Sequence, residues 1–264
     1  GKIKLDLKEE VDKIKSQGER APHLIAILIG ENAASHTYVN AKKKACDEIG
    51  FQSTVIKLPK TISQIDLLDK INQINANETV DGLIVQLPLP IHINPSVVIR
   101  SISHKKDVDG FHPINLGNMM LEQPCFLPAT PLGIVTLIES YNIDTVGKHC
   151  LVIGRSHIVG TPMSVLMSRN NKFANCTVTL AHSKTENINL LTKNADIIII
   201  ALGIPGFLRK DMIKDSVVVI DVGINKVESS VTKSGWRLVG DVDFDSVKEK
   251  SSFITPVPGG VGPM

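Results

Sequence analysis

Lys148-His149-Cys150-Leu151-Val152-Ile153-Gly154-Arg155-Ser156-His157-Ile158-Val159-Gly160 is the stretch on which the fold turns. It starts as an apolar run suited to a strand buried on both faces, passes into a glycine turn, and leads into an apolar segment of helical period. Strand, tight turn and helix N-terminus together aim backbone N–H groups and a positive dipole end at one point, the arrangement that stabilises a pyrophosphate. Ser156 stands where a second glycine is usual, so only Gly154 and Gly160 remain of the fingerprint. So short a motif has low specificity by itself, and its neighbours must carry the rest.

Working outward, Ile/Val/Leu runs at 149–153, 176–181, 195–201 and 217–222 predict strands, and so do 23–29, 53–58 and 80–86 in the first half. Helical period fills 35–49, 63–75 with Ser63 as N-cap, and 131–141 with Pro131 in its first turn. Alternation of this kind gives βαβ units and parallel sheets, hence an α/β fold. Residues 87–131 are rich in Pro, His, Asp and Gly and read as functional loop and linker. Two domains are expected: an N-terminal α/β domain over 1–130 and a Rossmann-like, doubly wound parallel-sheet domain over 131–254, with 255–264 returning to the cleft. No internal repeat and no low-complexity tract is visible.

Composition sets the class of partner. The 264 residues are 42% hydrophobic and 21% charged, and 29 basic residues against 27 acidic leave a net charge of +2. With no basic block interleaved with aromatics, neither nucleic acid nor an anionic membrane is expected, and a small molecule is the default ligand. Aromatics make up only 4%, so the core must be aliphatic. Cys46, Cys125, Cys150 and Cys176 are widely spaced without a C-x-x-C pair, which fits buried thiols in a reducing compartment. No apolar run approaches the roughly 20 residues that cross a bilayer, and Gly1-Lys2-Ile3-Lys4 has no signal-peptide core, so a cytoplasmic protein is expected. A transit peptide removed ahead of residue 1 stays open.

The strand at 176–181 runs into His182-Ser183-Lys184-Thr185, where an NAD site usually offers an acid to the ribose 2′-hydroxyl. Arg155, Ser183 and Lys184 instead supply cationic and hydroxyl donors for a 2′-phosphate, which favours NADP. Ala201-Leu202-Gly203 and Asp221-Val222-Gly223-Ile224-Asn225 put small residues where a nicotinamide or its ribose passes close to backbone. The same glycines would also serve simply to turn strands into loops.

In the first half, Tyr38 and Lys42 are four apart on a helical segment and share a face. A partly desolvated lysine can lose its proton and act as base, with the tyrosine orienting it or stacking on a flat ligand; a solvated helix face, with Lys43 and Lys44 adjoining, is the other reading. Gln86 ends the run 80–86 ahead of Leu87-Pro88-Leu89-Pro90, which places an amide at the carboxyl end of a strand. Lys106-Asp107-Val108-Asp109-Gly110 offers carboxylates to a polar heterocycle, and Asp107 is the one better suited to a structural turn.

Together with 128–133, 240–242 and 255–264, these stretches closely resemble the bifunctional methylenetetrahydrofolate dehydrogenase/methenyltetrahydrofolate cyclohydrolases, the FolD family, in order across nearly the whole chain. The resemblance implies NADP-dependent oxidation of 5,10-methylenetetrahydrofolate to 5,10-methenyltetrahydrofolate, then hydrolysis to 10-formyltetrahydrofolate, in one-carbon metabolism and purine biosynthesis. It implies a folate-binding catalytic first domain, with Lys42 as base or proton shuttle, Tyr38 positioning and stacking on the folate, Gln86 tuning Lys42, and Asp109 holding the pterin. Ser35 is a supporting polar group, and Pro258-Gly259-Gly260 lines the folate site. Gly154, Arg155, Ser156, Gly160, His182, Ser183, Ala201, Gly203 and Ile224 carry over to NADP. No metal and a homodimer formed through the cofactor domain are expected.

Two departures stand out. Ala129 occupies a position where many members have Cys, and members normally continue past Met264 into another helix, so a truncated or incompletely ordered terminus is expected. A monofunctional NAD(P) dehydrogenase and a catalytically silent folate or nucleotide-binding homologue are the other readings. Retention of Tyr38, Lys42, Gln86 and Asp109 argues against the silent one.

Overall fold

The alternation of strand and helix is realised twice. The computed structural model describes residues 2–230, 232 and 235–264, and it divides into two units, Gly1–Leu127 and Pro128–Met264.

The first unit runs α1 (Lys2–Ser16), β1 (His23–Ile29), α2 (Ala33–Ile49), β2 (Gln52–Leu58), α3 (Gln64–Ala76), β3 (Gly82–Val85), α4 (Pro95–Ser101) and α5 (Pro113–Met120). Its three strands are parallel in the order β2-β1-β3. Successive side chains of β1 point to opposite faces: Ile25, Ile27 and Ile29 pack with Leu67 and Ile71, while Ala26 and Leu28 pack with Val39. Ser63 caps α3 as expected, accepting from the Asp66 N–H. Helix α2 opens two residues ahead of the expected start because Asn32 is its cap, accepting from the Ser35 N–H at 3.0 Å.

Residues 87–131 correct the expectation of loop alone. Asn94 and His112 each cap a short helix whose next residue is proline, and these two helices are α4 and α5. At 7 and 8 residues they are too short to show a period. Helix α1 was hidden for another reason: Val11 is its only buried residue, so it carries almost no apolar stripe.

The second unit runs α6 (Ala129–Ser140), β4 (His149–Ile153), α7 (Gly160–Ser168), β5 (Thr177–Ala181), α8 (Ile188–Asn194), β6 (Ile197–Ile200), a 3-10 turn (Lys210–Met212), β7 (Val217–Asp221), an antiparallel hairpin β8 (Asn225–Glu228) and β9 (Trp236–Val239), α9 (Phe244–Val247) and β10 (Ser251–Ile254). Five parallel strands lie in the order β10-β7-β6-β4-β5. Counted within the unit this is a doubly wound 2-1-3-4-5 sheet, whose switch point falls between β4 and β6. Cys150 and Val152 face a core with Ile134, Met163 and Ile199, and Leu151 and Ile153 face one with Ile198 and Val219, so both faces are buried. Helix α6 starts at Ala129 rather than 131, which leaves Pro131 inside the first turn. Residues 255–264 pack in this unit: the Thr255 N–H donates to the Val219 carbonyl at 3.1 Å, and Val261 is buried in the core beside Ile134.

The two units share a feature that no repeat in the sequence announced. His23 and His149 open the first strand of each sheet. The N–H of each donates to an aspartate, Asp81 or Asp196, at 2.8 Å, and that aspartate's N–H returns a bond to the histidine carbonyl at 2.9 Å. Nε2 of each ring lies 2.9 Å from a threonine hydroxyl on the neighbouring strand, Thr54 or Thr179. Arg20 and Lys214 sit on the two aspartates and hold their carboxyls below the usual range.

Candidate active site

Lys42 projects from α2 one helical turn after Tyr38, so both side chains leave the same face. Its Nζ lies 3.4 Å from Gln86 Oε1 and 3.8 Å from Asp109 Oδ1. The Lys42 side chain is 37% exposed and that of Asp109 21%, so the group is neither sunk in the core nor adrift in solvent. Tyr38 is exposed and Ser35 buried.

Each partner reaches Lys42 for a traceable reason. Gln86 follows β3 directly, and its N–H donates to the Ile27 carbonyl, so the amide sits at the carboxyl end of the sheet. Its Nε2 donates to the Leu87 carbonyl at 2.9 Å, which turns Oε1 toward Lys42. Asp109 is delivered by a splice onto the sheet edge: the Leu83 N–H donates to the Lys106 carbonyl at 2.7 Å, and Asp107 bridges to Leu83 in parallel. A Cβ on Gly82 would stand 2.7 Å from Val108, so only glycine lets this segment lie so close. Lys106 ties it down by donating to the carbonyls of Ile74, Asn75 and Asn77 at the end of α3.

Asp107 and Asp109 therefore do different work. Asp107 is buried and accepts from the His112 N–H at 2.7 Å and Asn115 Nδ2 at 2.9 Å, a structural role as expected though not a turn of the Asx kind. Asp109 faces Lys42. Burial pushes its carboxyl above the usual carboxylate range; the Lys42 charge opposes this and the Asp107 charge adds to it.

In the second unit, Gly154 ends β4 with φ +117°, and a Cβ there would lie 2.4 Å from the Ala201 carbonyl oxygen. A Cβ on Gly160 would lie 1.8 Å from the Gly154 carbonyl oxygen, so α7 begins directly against the turn. Ser156 Oγ accepts from the Val159 N–H at 3.1 Å, shaping the turn while its hydroxyl proton can still be donated. Arg155 is exposed on the same turn. After β5, the His182 N–H donates to Thr185 Oγ1 and His182 Nδ1 accepts from the Lys184 N–H, which leaves Ser183 and Lys184 exposed at the tip. A glycine-only cradle at the switch point, basic and hydroxyl side chains beside it and no acid in the turn after β5 suit a dinucleotide that bears a 2′-phosphate.

Residues 221–225 and 240–242 both figure in the sequence reading, but neither aspartate in them was given a role. Asp221 and Asp241 are buried at 3% and 0% exposure. Asp241 accepts from the N–H groups of Leu202 (2.6 Å), Gly203 (3.0 Å) and Ile204 (2.8 Å) and from Asn225 Nδ2 (2.8 Å). Asp221 accepts from the N–H groups of Gly223, Asp241 and Val242 at 2.9, 3.0 and 2.9 Å, and burial pushes its carboxyl up to about 6. The available signal was Val217-Val218-Val219-Ile220-Asp221, a charged residue closing an otherwise aliphatic strand.

The family model for the catalytic domain of tetrahydrofolate dehydrogenase/cyclohydrolase matches residues 1–109, and that for the NAD(P)-binding domain of the same family matches residues 128–264. The bifunctional protein FolD of Cytophaga hutchinsonii is 56% identical over 262 residues, which span 99% of this chain and 90% of that protein. The solved structure of the bifunctional FolD of Campylobacter jejuni matches with a TM-score of 0.92 at 49% identity, covering 99% of this chain and 89% of that one. The Trypanosoma brucei enzyme, solved with NADP cofactor and inhibitor, matches with a TM-score of 0.92 at 35% identity, covering 99% and 88%.

Proposed function

The chain belongs to the tetrahydrofolate dehydrogenase/cyclohydrolase family, and from that premise we propose that Lys42, held by Gln86 and Asp109, is its proton-transferring residue. The protein oxidises 5,10-methylenetetrahydrofolate to the methenyl cation with NADP and hydrolyses the cation to 10-formyltetrahydrofolate. NADP, when bound, accepts the hydride that leaves the methylene carbon.

Hydrolysis is where Lys42 acts. Water adds to the cationic methenyl carbon and must lose a proton, which a neutral amine accepts without repelling the cation. The bond from that carbon to N5 then breaks, and the proton is returned to N5 as the formyl group stays on N10. Gln86 Oε1 receives one Lys42 N–H and so aims the remaining valences of Nζ at the water. Asp109 accepts hydrogen bonds from the pterin, Tyr38 stacks on its ring, and Ser35 supports that end of α2. Folate chemistry is thereby assigned to 1–130 and NADP to 131–254.

On the cofactor side, Gly154, Ser156 and Gly160 form the pyrophosphate turn, Arg155, His182 and Ser183 take the 2′-phosphate, and Ala201, Gly203 and Ile224 border the nicotinamide. A cytoplasmic homodimer paired through the cofactor unit, supplying formyl groups to purine biosynthesis, completes the proposal.

What carries it is the convergence of Lys42, Gln86 and Asp109 from three separate segments. Lys42→Met is expected to lower cyclohydrolase turnover by about 10²–10⁴-fold while hydride transfer is partly retained. Wild-type hydrolysis of methenyltetrahydrofolate by that variant would remove Lys42 from the mechanism.

A further inference from the structure

We propose that Asp241 is a positioning residue for the dehydrogenase reaction, its carboxylate fixing the two strand-end loops that receive the nicotinamide end of the cofactor. The inference rests on the assignment of Ala201, Gly203 and Ile224 to NADP made above.

The N–H groups of Leu202, Gly203 and Ile204, which follow β6, converge on this one carboxylate, and Asn225, which follows β7, adds a fourth donor to it. Consecutive amides that turn inward on an anion form a nest, and Gly203 at φ +71° allows the turn. The four donors divide between its two oxygens, two on Oδ2 and two on Oδ1, so a side chain with one acceptor oxygen cannot serve all of them in this geometry. The fit is close: a Cβ on Gly223 would lie 2.3 Å from the Asp241 carboxylate.

Asp221 sets Asp241 in place. It holds the N–H groups of Asp241 and Val242, and a Cβ on Gly240 would lie 1.8 Å from its Oδ2. The Asp241 carbonyl in turn accepts from the Leu208 N–H at 3.0 Å, so the loop after β6 is stitched at both ends. While the amides face the buried carboxylate, Ile204 and Ile224 stay about half exposed, one on each loop, as apolar flanks suited to a flat ring. Burying two carboxylates is costly for stability alone, and here they fix the shape of surface loops whose neighbour, through the Ala201 carbonyl, is the glycine turn at Gly154.

The test is Asp241→Asn, which supplies one acceptor oxygen and sets an NH2 against the loop amides. Calorimetric NADP affinity is expected to fall about ten- to hundredfold, as for lost hydrogen bonds to a charged group. Hydrogen exchange at Leu202–Ile204 should quicken in the cofactor-free protein, and hydrolysis of methenyltetrahydrofolate, assayed without NADP, should stay within about twofold. Wild-type NADP affinity alongside faster exchange would overturn the proposal. Should Asp241→Asn lose both activities, Asn225→Ala decides: a several-fold loss of NADP affinity supports the role, and none overturns it. Gly160→Val is run in parallel, since unchanged NADP affinity there would refute the assignment of the cofactor site itself rather than the role of Asp241.

Discussion

At the scale of single residues, the neighbouring carboxylates of Asp107 and Asp109 give opposite expectations. Asp107→Ala strands the His112 N–H and takes one of the two acceptors of Asn115 Nδ2, which keeps the His104 carbonyl, and should destabilise the first unit by about 1–3 kcal/mol in a urea titration. Asp109→Ala removes a carboxyl that burial already disfavours, so its melting temperature should hold or rise while KM for the folate increases. Equal destabilisation by the two changes would refute this division of roles. The grouping of Lys42, Gln86 and Asp109 was legible in the sequence, because a lysine on a helix face, a polar residue ending a strand and an Asp-x-Asp-Gly loop are local signals. Asp221 and Asp241 were not, because their meaning lies in N–H groups contributed by loops about twenty to forty residues away in the chain.

At the scale of elements, the junction of β4 and α7 tolerates no side chain at Gly160, so Gly160→Ala should abolish measurable NADP binding and leave cyclohydrolase turnover in place. The end of β7 carries a pH signature. The Asp221 carboxyl is raised from an ordinary 3.8 to about 6, so the folded chain holds that proton more tightly than the unfolded chain. The resulting stabilisation is complete below about pH 4, is lost as pH rises through about 6, and amounts to about 3 kcal/mol. The melting-temperature advantage of the wild type over Asp221→Asn should therefore shrink from pH 4 to pH 7, and parallel curves would rule out this titration. Strands β1 to β7 were readable because two-sided parallel strands are continuous aliphatic runs, and β4 was placed residue for residue at 149–153, whereas the short, half-exposed β8, β9 and β10 were not read. Helices α1, α4, α5, α8 and α9 were missed, the first for want of an apolar stripe and the others for want of length.

At the scale of the whole molecule, two units built on one plan place their chemistry at corresponding points. Gly30 and Gln86 follow the first and third strands of one sheet as Gly154 and Ala201 follow those of the other. The histidine clips at the opposite ends should matter equally: His23→Ala and His149→Ala are each expected to cost about 1–2 kcal/mol, and each should speed amide exchange in its own unit's sheet. Exchange that changes in both units with either variant would count against separate clips. The splice of Lys106 and Asp107 onto Leu83 bears on behaviour in concentrated solution. An exposed edge of aliphatic β-strand can recruit strands from other molecules into fibrils, and here the chain's own backbone occupies that edge where Leu83 lies. Loosening the cover with Val108→Asp should leave a protein that scatters light increasingly with concentration, an effect that dilution would relieve before assembly becomes irreversible.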